Sequence, residues 1–213
     1  DGPLRSGGDA AFSVLSGTAG VSAGVVCRTA AVCDGISKAF KQLCDLARIN
    51  CNVVFGDSWN EYEKPQKHAW NMVKIDKDWY HIDVTWNINL SQRFKYVRYD
   101  YFNIRESDVI KDHRNFDKLE ICDSLKNNFF YENKCILNGR NELEKFLVDK
   151  LNNIKNNNAS KNIYFKLYLK ENEDACSLIS NAISKASIKT FYFSTGYTLN
   201  SNSTQNVYLI RLN

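Results

Sequence analysis

His68-Ala69-Trp70-Asn71-Met72-Val73-Lys74-Ile75-Asp76-Lys77-Asp78-Trp79-Tyr80-His81-Ile82-Asp83-Val84-Thr85-Trp86 is the stretch on which the fold turns. Two runs rich in Trp, Tyr, Val and Ile, His68 to Ile75 and Trp79 to Trp86, flank Asp-Lys-Asp, which is the pattern of a β-hairpin. With Asp76 and Lys77 as the turn, Ile75 faces Asp78 and Trp70 faces Asp83. Side chains alternate along a strand, so His68, Trp70, Met72, His81 and Asp83 share one face, and Val73, Ile75, Ile82 and Val84 the other. The second face is apolar. The first gathers imidazole, carboxylate and indole, an unusual set for a merely solvated surface.

Upstream, the spacing of Ile36, Phe40, Leu43, Cys44 and Ala47 against Lys38, Lys41, Gln42 and Asp45 predicts an amphipathic helix from about Cys33 to Ala47. Cys51 to Phe55 reads as a short strand ended by Gly56, and Asp57 to Lys67, which contains Pro65, as a polar loop. Asp1 to Asp9 has no helical or strand period and reads as a flexible start. There is no initiator Met, so the chain is expected to be a fragment or processed form, and its start says nothing about compartment.

Downstream, Tyr99 to Phe102 reads as extended, and Asp112-His113-Arg114 as an ion-paired loop with His113 structural. The texture changes near Cys122. Residues 128 to 137 alternate like a strand, Glu142 to Leu151 is an amphipathic helix and Lys155 to Ser160 an Asn-rich loop. Then Ile163 to Leu169 reads as a strand, Asp174 to Ala186 as a helix, and Lys189 to Ser194 and Val207 to Leu212 as closing strands. The expectation is an α+β protein with a core in residues 1–122 and a small α+β domain in residues 123–213.

Composition narrows the function. In 213 residues, 28 basic and 24 acidic side chains leave a charge of +4, too diffuse for the basic stripe of a nucleic-acid binder. No apolar run approaches the roughly 20 residues of a membrane span. Seven cysteines, at 27, 33, 44, 51, 122, 135 and 176, cannot all pair within one chain, and none has Cys-x-x-Cys spacing. Most read as small buried hydrophobes.

Cys33 differs by position. At a helix start, unpaired amide N–H groups and the positive end of the dipole favour a thiolate. Ala31-Val32-Cys33-Asp34-Gly35 surrounds it with small residues that let a substrate backbone approach. A thiol nucleophile needs a base and a group that orients the base. His68 and Asp83 supply these types one diagonal step apart, and a bulge would bring them opposite each other. Each has a structural alternative: Cys33 as core packing, His68 as a strand-end polar residue, Asp83 as a surface carboxylate. His81 is a competing base on the same face.

Ala31-Val32-Cys33-Asp34-Gly35 with Ser37-Lys38-Ala39-Phe40, then His68-Ala69-Trp70-Asn71, then Trp79-Tyr80-His81-Ile82-Asp83-Val84-Thr85-Trp86, resembles the transglutaminase-like superfamily of papain-related cysteine acyl-transfer enzymes. Tyr99-Asp100-Tyr101-Phe102-Asn103 and Lys111-Asp112-His113 resemble the segment that follows the core in bacterial members. The resemblance implies a Cys-bearing helix packed on an antiparallel sheet, with Cys33 as nucleophile, His68 as base and then acid, Asp83 as orienting carboxylate, and Trp70 as a wall of the substrate cleft. It implies no cofactor and no metal, and a peptide or protein substrate; the oligomeric state is left open. One departure is upstream, where relatives carry a second oxyanion donor. Phe12 cannot donate, so a hydroxyl such as Ser13 or Ser16, or a segment outside this sequence, serves as the donor, or the chain is catalytically impaired.

The expected activity is amide hydrolysis through a thioester on Cys33. Protein crosslinking, peptide deglycosylation and a non-catalytic envelope or adhesion module that keeps the fold are the alternatives. No carboxylate-rich loop has calcium-site spacing. The Asn- and Lys-rich composition, together with the family, points to a bacterial secreted or envelope protein, while the isolated cysteines suit a reducing compartment equally well.

Overall fold

The structure, a computed structural model, describes residues 31–59 and 64–213. The readings placed on Asp1 to Asp9, on Phe12, Ser13 and Ser16, on Cys27 and on residues 60–63 of the polar loop lie outside the described residues. The chain divides into two compact units, Asp1–Phe129 and Phe130–Asn213. The division falls a few residues beyond the texture change near Cys122, which is itself buried in the core of the first unit.

In the first unit, helix α1 (Ala31–Leu46) leads into strands β1 (Cys51–Ser58), β2 (Gln66–Ile75) and β3 (Asp78–Ile82). Helix α2 (Val84–Phe94), a short helix α3 (Glu106–Val109) and a two-residue strand β4 (His113–Arg114) follow. The sheet order is β3-β2-β1-β4, antiparallel throughout. The hairpin has the register expected, with Ile75 opposite Asp78 and Met72 opposite His81, around a turn in which Asp76 takes a left-handed φ of 55°.

Helix α1 buries Cys33, Ser37, Phe40 and Cys44, a 4-3-4 spacing that draws one stripe down the helix, and leaves Leu46 in solvent. Phe40 and Cys44 pack with Cys51, Val73, Tyr80, Ile82 and Val84. A second cluster forms around Trp70, Met72 and Val54 with Tyr101, Ile104, Val109 and Cys122. Both faces of the hairpin are therefore covered, and the polar face read from sequence is interior.

Three local expectations change. β1 runs through Gly56 to Ser58 instead of ending at Phe55. A Cβ at Gly56 would stand 2.7 Å from the Arg114 carbonyl oxygen and 2.8 Å from the Trp70 ring, so the glycine lets β4 and the indole close on the strand. β3 stops at Ile82, because Asp83 leaves the sheet to cap helix α2, its carboxylate accepting from the Trp86 amide at 2.9 Å. Tyr99 to Phe102 is a turn, with the Phe102 amide donating to the Tyr99 carbonyl. It is held by a buried bidentate Arg98–Asp100 pair and by the Tyr101 amide donating to Asn87.

The second unit is a four-stranded sheet, β5 (Ile136–Asn138), β6 (Asn162–Tyr168), β8 (Val207–Leu212) and β7 (Tyr197–Asn202) in that order, with helices α5 (Gly139–Asn157) and α6 (Ala175–Thr190). Residues 128 to 137 form a short helix α4 (Phe129–Glu132) and then β5, where a single strand was expected. Lys189 to Ser194 is the end of α6 and a turn, and the strand lies later, at Tyr197–Asn202. Phe191 caps that helix in the left-handed region, and its amide donates back to Ile188.

Candidate active site

His68 stands near the start of β2, where it is paired with Gly56 of β1. Its Nε2 lies 2.7 Å from Asp83 Oδ2, and both side chains are buried. No bulge is needed, because Asp83 turns out of the strand as the N-cap of α2 and so reaches the diagonal position. The cap also fixes its rotation: Oδ1 takes the Trp86 amide and leaves Oδ2 for imidazole.

Cys33 lies in the first turn of α1, 7% exposed and a thiol. The helix is tied to β2 by two hydrogen bonds, Ser37 Oγ donating to the Ala69 carbonyl at 2.9 Å and Asn71 Nδ2 donating to the Ser37 carbonyl at 3.0 Å. Further along, Cys44 and Cys51 pack beside Val73 in the same cluster. Helix and strand thus run side by side, and Cys33, one turn before Ser37 on the same stripe, lies toward the His68 end.

Trp70 does not wall a cleft. It is wholly buried and stacks beneath His68, ring centroids 6.0 Å apart and 19° between planes. Its indole Nε1 donates to His81 Nδ1 at 3.1 Å. Accepting there fixes the proton of His81 on Nε2, which faces Glu106 Oε2 at 3.1 Å. Burial pushes the His81 pKa down against the opposing pull of Glu106. With both nitrogens engaged and no exposed surface, His81 is not available as a base.

The site also contains a residue placed elsewhere by sequence reasoning. His113, on β4, is completely buried, with Nε2 3.1 Å from Asp83 Oδ2 and Nδ1 2.6 Å from Asp112 Oδ1. The ion-paired reading holds for Asp112; Arg114 instead lies over the Trp59 ring at 4.8 Å. What went unread is that β4 pairs with the end of β1, Ser58 opposite His113, and so brings His113 to the His68 end of the sheet. The spacing of Lys111-Asp112-His113 was the available signal, and only the long-range pairing gives it meaning.

The charges of this cluster are set by its neighbours. Burial would raise the Asp83 pKa, but His68 and His113 outweigh it and hold the carboxyl well below the usual range. Burial would lower that of His113, but Asp112 and Asp83 outweigh it and raise it to about 9. His68, Asp83 and His113 are ligand types for a metal. Their N–O separations of 2.7 and 3.1 Å are those of hydrogen bonds, shorter than the roughly 3.3 Å between ligand atoms around a tetrahedral zinc. The donor set fits proton traffic better than metal binding.

Residues 12–84, which hold Cys33, His68 and Asp83, match the family model of the transglutaminase-like superfamily core. The human kyphoscoliosis peptidase is 26% identical over 121 aligned residues, which take in 48% of this chain and 18% of that protein. The chain thus spans less than a fifth of this relative's length. Over this stretch the chain is similar to the core of the transglutaminase-like superfamily, a family of cysteine-based acyl-transfer and peptidase-type proteins.

Proposed function

We propose that the first unit is a thiol acyl-transfer site, with Cys33 as nucleophile, His68 as general base and acid, and Asp83 as the group that orients His68. The observation that carries this is the buried 2.7 Å contact between His68 Nε2 and Asp83 Oδ2, made at the strand end to which the Cys33 helix is tethered. Because Asp83 occupies Nε2, Nδ1 is the nitrogen left to exchange a proton with the thiol. His68 takes the Cys33 proton, sulfur attacks the amide carbonyl carbon, and the C–N bond breaks as the same proton passes to the leaving amine. Water, losing a proton to His68, then attacks the thioester; the acid is released and Cys33 leaves as the thiol. The Cys33 amide, in the first turn of the helix, is a fitting oxyanion donor. Trp70 serves as the support of His68 and not as a substrate contact.

Hydrolysis of a peptide or protein amide is the reading preferred here, in keeping with the peptidase named among the relatives. Crosslinking uses the same thioester with a lysine amine in place of water. A secreted or envelope location in a bacterium is part of the same proposal, drawn from composition.

Alkylation tests it. Iodoacetamide near neutral pH should label Cys33 quickly, and His68→Ala should slow that labelling at least tenfold. Cys176 is exposed and should label at an ordinary rate in both proteins, which makes it the internal standard. Cys122 and Cys135, buried and pushed up to about 12, should stay unlabelled. Cys33 labelling no faster than Cys122 sinks the enzymatic reading and favours the non-catalytic module. A glutamine peptide offered with and without a primary amine then separates hydrolase from crosslinker by product mass.

A further inference from the structure

Asp83 serves two histidines, and a mechanism of cysteine, histidine and carboxylate accounts for only one of them. His113 has a carboxylate oxygen at each ring nitrogen, Asp112 Oδ1 at 2.6 Å and Asp83 Oδ2 at 3.1 Å. An ionised carboxylate only accepts, so each nitrogen has to donate, and an imidazole that donates from both is an imidazolium. The remaining oxygens are also engaged. Asp112 Oδ2 accepts the Tyr101 hydroxyl at 2.7 Å, and Asp83 Oδ1 accepts the Trp86 amide at 2.9 Å. The result is a buried chain from Tyr101 through Asp112, His113 and Asp83 to His68.

We propose that His113 is a positioning residue, a permanent buried imidazolium that joins Asp112 to Asp83 and so keeps Asp83 ionised and turned toward His68. The proposal rests on the acyl-transfer reading above. An enclosed carboxylate facing one imidazole would tend to draw the proton onto itself; a second, fixed cation on the same oxygen prevents this. The cation also acts on His68, whose ring lies 5.5 Å away, by opposing a second positive charge there. Removing it leaves Asp83 facing His68 alone, with no second cation on the shared oxygen.

The surroundings of His113 are accounted for on each side. Asp83 just after β3, Asp112 just before β4 and His68 on β2 are its charged or titratable neighbours, and the Tyr101 hydroxyl faces Asp112. The Trp70 and Trp86 rings enclose it at 4.7 and 4.8 Å, and His81, held neutral by Trp70, lies beyond the indole. The two carboxylates raise its pKa to about 9 in spite of burial, in keeping with a charge that persists through the working range.

Two measurements on the full chain test this. The chain has three histidines, so nitrogen-15 labelling of histidine can be assigned with one variant each. In the unaltered protein at pH 7.5, both His113 nitrogens should be protonated, while His81 carries a proton on Nε2 alone. The second measurement is the pH profile of Cys33 alkylation by iodoacetate, whose carboxylate favours a thiolate–imidazolium pair and whose rate falls on the alkaline side. In His113→Gln this alkaline fall should move to higher pH, with the best rate reduced about tenfold. Asp112→Asn should move it the same way by less. A residue that only packs would lower the rate at every pH and leave the fall where it was. A single protonated nitrogen on His113 at pH 7.5, or an unmoved profile in either folded variant, overturns the proposal. Alkylation of Cys33 that never depended on His68 overturns the acyl-transfer reading instead, and the nitrogen spectra tell the two failures apart.

Discussion

The two units have similar scaffolds and different interiors. Each is a four-stranded sheet with helices, but the first buries His68, His81, Asp83, Arg98, Asp100, Asp108, Asp112 and His113, whereas among the described residues of the second the buried basic or acidic side chain is Lys166. Burying an ion costs several kcal/mol unless a partner is positioned for it. In the first unit the partners are present: Arg98 with Asp100, Asp108 with Lys111, and the histidines with Asp83, Asp112 and Glu106. The second unit buries Leu143, Leu147, Leu151, Phe165, Ile179 and Leu209, an ordinary apolar core. Residues 1–129 hold 17 basic and 17 acidic side chains, so no net field marks the site and its electrostatics are local. A unit that accepts so many interior charges is built to hold them at fixed places, while its neighbour is built to pack.

The contrast breaks most sharply under one substitution in each unit. Asp83→Asn keeps a good helix cap for α2, since asparagine and aspartate cap about equally well, but it removes the charge that faces His68. Acyl transfer should fall by about 10³ to 10⁴, by analogy with the same change in a serine-protease triad, with the helical circular dichroism unchanged. Leu147→Ala should do the reverse: about 2–5 kcal/mol less stability from a cavity in the second core, and His68-dependent alkylation of Cys33 intact at temperatures where the protein stays folded. Activity lost through Leu147 and retained through Asp83 would mean that the units have been assigned the wrong way round.

A smaller effect separates His113 from His81. The His113 pKa is raised in the folded state, to about 9 from an unfolded value near 6.5. Its stabilisation is therefore fully present below about pH 6.5 and is lost as pH rises through about 9, on the order of 3 kcal/mol at full extent. His81 is lowered, so the unfolded chain takes up its proton first, and stability falls as pH drops below about 6.5. Together they predict a stability maximum near pH 6.5 in thermal melts. The alkaline slope should vanish in His113→Gln and the acid slope should shrink in His81→Gln. An alkaline slope that survives His113→Gln belongs to another group.

How far the site could be read from sequence follows the range of the interactions that make it. The hairpin register, Ile75 opposite Asp78, came from alternation and a two-residue turn, both local. The helix beginning near Cys33 came from helical spacing, also local. Asp83 was found as a carboxylate and missed as a cap, although Asp83-Val84-Thr85-Trp86 is a helix start in its own right; eight strand-like residues from Trp79 masked it. Trp70 was placed on the correct face and given the wrong exposure, since alternation says which side a ring is on and not what covers that side. His113 was beyond reach because its partner strand, β1, lies more than 50 residues upstream, and a two-residue strand has no period to detect.

The smallest test uses the first unit's glycines, which differ as the units do. Gly56 is enclosed: an alanine there would meet the Arg114 carbonyl oxygen, backbone that cannot swing aside, and should cost about 1–3 kcal/mol while pushing β4, and His113 with it, off the sheet. Gly35 is open, with no described atom within 4 Å of an added Cβ, and sits inside α1 two residues after Cys33. By helix propensity alone, Gly35→Ala should stabilise the fold by about 0.5–1 kcal/mol. If the glycine is there so that a substrate backbone can approach Cys33, the same alanine should raise KM several-fold and leave kcat nearly unchanged, because it obstructs binding without altering His68 or Asp83. A more stable protein with an unchanged KM would move the substrate path away from this face of α1, whereas a more stable protein that binds its substrate less well would locate that path beside residue 35.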